Sequence, residues 1–285
     1  MKYILENQKL HVEVETNGAE LTCIRSQETG REYLFDADER YWKRHAPVLF
    51  PIVGSLKDKK LVIDGKDYPM GQHGFARDRA FVLAAQEADS LWFRLESDEE
   101  SWKAYPYDFC LEIGYILKDN SIEVVWKVTN TGNQDLHYQI GGHPAFLCPE
   151  GAGFQFDTQK PIVYRLLNGN GLLVDQTYTL DTEAGYYQIP KDMYDRDALI
   201  IEDSQAGRVS LCTPDKTPYL TVTFDAPLFG LWSPAGKNAP FVCIEPWWGR
   251  ADGADFSGSI EERDYDQKLA PGADRTYSFT ITIEK

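Results

Sequence analysis

The sequence predicts an all-β fold, a large antiparallel β-sandwich formed as one domain over residues 1–285. Three observations carry this. Apolar and polar residues alternate with period two along many short segments. Those segments are separated by Gly, Pro, Asn and Asp, the residues of turns. Helix signals are almost absent, so layers of strands remain as the way to bury a core.

The elements follow in chain order. Leu10–Glu15 and Leu21–Ser26 read as short strands, and "LVIDGKDYPM" as a hairpin turning at Asp64-Gly65. Phe81–Gln86 and Leu91–Glu96 are further short strands. "SDEESWKAYP" is the one helix signal: Ser97 as N-cap, Glu100 in the capping-box place and Pro106 as the stop allow one or two turns. Phe109, Leu111, Ile113, Tyr115 and Leu117 then share a face, with Glu112 and Lys118 opposite. Ile122, Val124, Trp126 and Val128 repeat the pattern after a turn at Asp119-Asn120, giving a hairpin. Val209–Thr213 and Tyr219–Phe224 follow, and Tyr277, Phe279, Ile281 and Ile283 alternate with polar residues at the C-terminal end. No Pro-rich or Ser/Gly linker, charge block or internal repeat divides the chain.

Composition is that of a globular protein, 42% hydrophobic and 26% charged, with enough of its 285 residues apolar for a sizeable core. The formal net charge is -16, from 45 acidic and 29 basic side chains. A field of that sign repels phosphate backbones and anionic membranes, so neither nucleic acid nor membrane is an expected partner. A local basic pocket for a phosphorylated metabolite stays compatible with it. The five cysteines, Cys23, Cys110, Cys148, Cys212 and Cys243, are dispersed and form no C-x-x-C pair, which argues against a zinc ribbon or a thioredoxin-type site. "MKYILENQKL" holds no long apolar run, and the expectation is a soluble cytoplasmic protein with reduced thiols.

Five histidines are few enough to take singly. His11, on an expected edge strand, and His137, in "DLHYQI", read as structural or solvent-exposed, and His45 as a loop residue. His73, in "GQHGFARD", and His143, in "GGHPAF", differ because small residues and aromatics surround them. Pro144 also biases His143 toward an extended backbone. Each is a turn histidine or a positioned reagent, and neither has a second His or Cys at metal-ligand spacing, so no metal is expected. Glu245, in "FVCIEPWWG", follows an apolar run, where a buried carboxylate needs a charge partner or a ligand. Arg250 and Arg44 are the candidate partners. Trp42, Phe75, Trp232, Trp247 and Trp248 are core fillers or flat faces for a sugar ring. Arg44 and Arg77 could hold hydroxyls or a phosphate. No P-loop, dinucleotide fingerprint or nucleophile elbow is present, so no cofactor is implied. Two imidazoles and a carboxylate suit proton transfer, such as the opening of a hemiacetal.

"GQHGFAR", "GGHPAF" and "FVCIEPW", in that order, resemble the aldose 1-epimerase (galactose mutarotase-like) superfamily, most closely its LacX-like branch. The likeness runs from the first strands through "RHAPVLFPIVG" and "YPYDF" to the C-terminal strand. It implies a β-supersandwich with a sugar site in a concave face, and cofactor-independent interconversion of α and β anomers. It also implies Glu245 as the base at the C1 hydroxyl, His143 as the acid at the ring oxygen and His73 as a second histidine near that oxygen. Arg44 matches the family's substrate-contacting arginine. The chain departs from galactose mutarotases proper in having "HGF" for their "HGG". Their hydroxyl-holding aspartate is matched loosely, by Asp197 or by Asp195. Hexose-6-phosphate epimerases share the His/His/Glu scheme and need cations for phosphate, for which Arg44, Arg77, Arg79 and Lys57 are available. The expected partner is an aldohexose or a sugar phosphate. The alternatives are a non-catalytic carbohydrate-binding or sugar-sensing protein and a glycoside hydrolase using Asp197 as its second carboxyl.

Overall fold

The computed structural model describes residues 1–284 and is built almost wholly of antiparallel strands. The largest sheet has nine. The hairpin Phe109–Lys118/Ser121–Asn130 and the C-terminal strand Asp274–Ile283 occupy its centre, with Pro218–Phe224 and Arg208–Cys212 on one side and Ser90–Glu96 and Val82–Gln86 on the other. These are the segments whose alternation predicts strands. The register confirms the predicted hairpin, pairing Ser121 with Lys118 and Trp126 with Ile113. The hairpin at Asp64-Gly65 also forms, pairing Ile63 with Lys66.

An eight-stranded sheet lies against the first. Its middle runs Leu199–Ile201, Leu228–Trp232, Phe241–Trp248, Ile140–Gly142, and Ala145–Leu147 adds to the first half of Phe241–Trp248. Aromatic rings lock the layers together. Trp126 of the larger sheet meets Trp248 of the smaller edge-on, with centroids 6.1 Å apart, and Phe224 meets Phe229 at 5.3 Å. The expected sandwich is therefore present.

The strand Phe241–Trp248 positions the site. Successive side chains point to opposite faces of a sheet, so Val242, Ile244 and Trp248 join the inter-sheet core. Phe241, Cys243, Glu245 and Trp247 face the other way. All eight residues are buried. A strand covered on both faces loses the polar half of its alternation, and the sequence shows only an apolar run there.

Two local readings are corrected, at the short helix and at His11, and His137 takes the structural of its two readings. The short helix is Glu99–Trp102, and its N-cap is Asp98, whose carboxylate accepts from the Glu100 and Ser101 N–H groups; Ser101, not Glu100, closes the capping box. Ser97 Oγ instead accepts from Phe109 N–H. His11 is not on an edge: Leu10–Glu15 is the middle strand of a three-stranded sheet, and the ring is buried between Glu6 and Glu13. His137 is anchored by Asp266, 2.6 Å from Nδ1. All five cysteines are free thiols, and among the described residues no helix is long and apolar enough to cross a membrane.

Candidate active site

A cavity of about 210 Å³ opens on the face of the eight-stranded sheet turned away from the core. His73, His143 and Glu245 all line it, although they lie far apart in the chain. Each arrives by a different device.

Glu245 projects from the all-buried strand, opposite Gly230 in the register. His143 follows the short strand Ile140–Gly142, and its N–H donates to Pro47 C=O at 3.1 Å. His73 sits at φ 65°, a left-handed conformation uncommon for a side chain of its size. Gly54 holds it there from both sides. His73 N–H donates to Gly54 C=O at 2.8 Å, and Gly54 N–H donates to His73 Nδ1 at 3.0 Å. Because Nδ1 accepts, a neutral His73 carries its proton on Nε2, which is left as a donor.

The two imidazoles meet edge to face, 5.7 Å between centroids. Trp42 stacks on His143 at 4.7 Å and 29°, and Trp232 abuts it at 5.2 Å and 82°. His143 Nε2 stands 3.3 Å from Glu245 Oε2. The approach misses hydrogen-bond alignment and leaves both Glu245 oxygens buried without a partner; His143 Nδ1, the other ring nitrogen, is also buried without one.

Electrostatics follow from burial. The Glu245 carboxyl is raised well above its ordinary range by desolvation and by the nearby Asp197 charge, with the Trp247 indole acting in the opposite direction. His143 is lowered to about 3 by desolvation, then by Arg77. His73 is lowered well below its ordinary value by desolvation, then by His143 and Arg77. Burial thus works against the charged form of each member of the Glu245–His143 pair. Among the described residues no arginine or lysine pairs with the carboxylate. Arg250 is engaged by Glu202 at 2.7 Å and Asp264 at 2.5 Å, and Arg44 by Asp78 at 2.8 Å.

Of the residues expected to hold substrate, Arg77, Asp197 and Trp247 line the cavity. Arg77 Nη2 donates to Gln72 C=O at 2.7 Å, while its Nε is buried and unpartnered. Asp197 Oδ1 accepts from Trp232 Nε1 at 2.9 Å and from Ala198 N–H at 2.9 Å. Arg44 does not line the cavity; its charge is felt by both histidines. Asp195 lines a separate cavity of about 540 Å³ beside Cys148 and Tyr194. Lys57 lies at a third cavity and donates to Ala254 C=O, and Arg79 pairs with Asp98. Phe75 and Trp248 are packing residues, against Phe109 and Trp126. Trp42 and Trp232 are at the site.

Trp247 owes its place to two glycines. A Cβ at Gly141 would come within 2.5 Å of its indole, and one at Gly230 within 2.4 Å. Gly230→Ala should therefore cost about 1–3 kcal/mol through overpacking, measured by urea unfolding, and should displace the indole from the cavity wall. Sequence reasoning also missed Cys243. Its thiol, the His143 ring and the Glu245 carboxylate bring donor atoms within 4.8 Å of one another. A strand reading of "FVCIEP" would have put Cys243 and Glu245 on one face.

Residues 1–259 match the sequence profile of a family described as Aldose 1-epimerase. The chain is 30% identical over 296 residues to the chromosomal LacX protein of Lactococcus lactis subsp. lactis, with 98% of each chain covered. It superimposes with a TM-score of 0.94 on a galactose mutarotase related enzyme from Lactobacillus acidophilus, at 35% identity, covering 100% of this chain and 98% of that one. A galactose mutarotase-like protein from Lactobacillus casei gives the same TM-score at 26% identity, with both chains covered completely.

Proposed function

The chain belongs to the aldose 1-epimerase family, and we propose that it interconverts the α and β anomers of an aldose by opening and reclosing the sugar ring without a cofactor. The observation that carries this reading is the Glu245–His143 contact at 3.3 Å at the cavity, with both carboxylate oxygens buried and not hydrogen-bonded. Mutarotation needs one group to remove the C1 hydroxyl proton and another to deliver a proton to the ring oxygen. Glu245 is the base and His143 the acid, and His73 Nε2–H donates to the ring oxygen. Ring opening gives the aldehyde, rotation about C1–C2 presents its other face, and reclosure runs the same transfers backwards. Each such proton transfer is worth roughly 10²–10⁴ in rate. A cavity below the roughly 300–1,000 Å³ of sites for drug-sized ligands suits one sugar ring. Arg77 Nε and Asp197 Oδ2 are free to take hydroxyls, and Trp247 offers a ring face.

The test is the rate at which freshly dissolved α-D-glucose, α-D-galactose and glucose 6-phosphate reach anomeric equilibrium, followed by polarimetry. We expect acceleration of at least one, proportional to protein concentration. Saturable sugar binding with no acceleration across a wider aldose panel would instead identify a carbohydrate-binding protein.

A further inference from the structure

We propose that the floor of this cavity is also a binding site for a thiophilic divalent cation, with Zn²⁺ as the probe, ligated by His143, Cys243 and Glu245. Bound there, the ion would block sugar ring opening; this inhibitory half rests on the isomerase reading, and the binding half does not. Strand geometry sets the arrangement. Cys243 and Glu245, two residues apart, project from one face of Phe241–Trp248, and Cys243 is paired with Ala145, two residues beyond His143. Thiolate, imidazole and carboxylate are the donor set that zinc takes. Bonds of about 2.0–2.3 Å in a tetrahedron hold donor atoms roughly 3.3–3.8 Å apart. The three donors here are already within 4.8 Å of one another, and the His143–Glu245 approach is 3.3 Å.

The second line of support is independent of spacing. Glu245 is 1% exposed, yet neither carboxylate oxygen has a hydrogen-bond partner. Buried unpaired polar atoms are costly, and a cation bound by them removes that cost. Among the described residues Arg77 is the one cation lining the cavity, and its Nε lies 3.9 Å from the Asp78 carboxylate. A second group, His11, Glu13 and Cys23, has a similar donor set on the outer three-stranded sheet. Its donors are already spent: His11 on Glu6 and Glu13, Glu13 on Lys2, and Cys23 on Glu32. It therefore serves as the internal contrast.

Chelator-treated protein is titrated with Co²⁺, read by thiolate-to-cobalt charge-transfer absorption, and with Zn²⁺ by calorimetry. One ion per chain is expected. Cys243→Ser should abolish the absorption and weaken binding at least about tenfold, whereas Cys23→Ser changes neither. Zn²⁺ should slow mutarotation by wild type, and Cys243→Ala should lose that inhibition relative to its own zinc-free rate. Absence of the charge-transfer band in wild type overturns the site, as does unchanged binding in Cys243→Ser. The wild-type cobalt spectrum decides the matter even where a variant fails to fold. Cys243-dependent zinc binding by a protein without isomerase activity would uphold the site and count against the isomerase reading. Mutarotation undisturbed by bound zinc would overturn the inhibitory half.

Discussion

Glu245→Gln should slow anomeric interconversion roughly 10²–10⁴-fold, the worth of a positioned general base, while leaving the fold intact. The amide matches the carboxylate in shape, so sugar binding, read by calorimetry, should change little. What it cannot do is take a proton from the C1 hydroxyl and return it on reclosure. Stability should be preserved or raised. Glu245 is buried without a cation, and desolvation already disfavours its charged form. Replacing an ill-supported acid by a neutral group removes that penalty, so the melting temperature should not fall. Loss of rate with retained melting separates a chemical role from a structural one. A Gln variant that equilibrates sugars at the wild-type rate would remove Glu245 from the mechanism. His143→Asn, which keeps a polar side chain in the same turn, should likewise fold and lose most of the rate.

The fold was legible where the sequence keeps polar markers between apolar positions. Glu112 and Lys118 mark one strand of the central hairpin, and Glu123 and Lys127 the other; these segments form as read. The strand that carries the site offered no such marker, because both its faces are covered. The same burial hid Cys243, which is invisible as a neighbour of Glu245 until the period of two is applied. His73, His143 and Glu245 could be singled out because imidazoles and a carboxylate amid glycine, proline and aromatics are unusual local chemistry. Their convergence followed only from the family resemblance, since His143 and Glu245 meet across strands distant in the chain. Ion pairing was illegible for the same reason. Arg44 and Arg250 were natural partners for Glu245 by charge, but Asp78, Glu202 and Asp264 reach them first in three dimensions. At the short helix the competition was local. Ser97 and Asp98 both cap well, and Ser97 was drawn instead to the neighbouring strand at Phe109.

Arg263→Met should destabilise the protein by about 3–5 kcal/mol, the cost of stranding one member of a buried ion pair. Arg263 Nε donates to Asp252 Oδ1 at 2.7 Å, with the two side chains 3% and 4% exposed. Burial holds the guanidinium pKa below its ordinary value, and the Asp252 charge works against that shift. The pair also knits together the segments that bring Gly54 and Ala251 to the cavity wall. Arg263 Nη2 donates to Arg250 C=O at 3.0 Å, Asp252 Oδ2 accepts from Lys57 N–H at 2.8 Å, and Asp252 N–H donates to Ser55 C=O at 3.0 Å. Ser55 adjoins Gly54, the residue that holds His73 in its left-handed conformation. Loss of Arg263 therefore leaves an uncompensated carboxylate in the segment that sets the angle of an imidazole at the site. Urea unfolding measures the stability, and sugar mutarotation measures the imidazole. The double variant Asp252→Asn/Arg263→Met keeps an acceptor for Lys57 N–H without a charge, and should recover much of the lost stability. A single variant costing under about 1 kcal/mol, the range of an exposed pair, would show that the pair is not what braces this loop. If the double variant regains stability but not rate, the brace acts on His73 through the charged Asp252 itself; if both return, packing of the segment is enough.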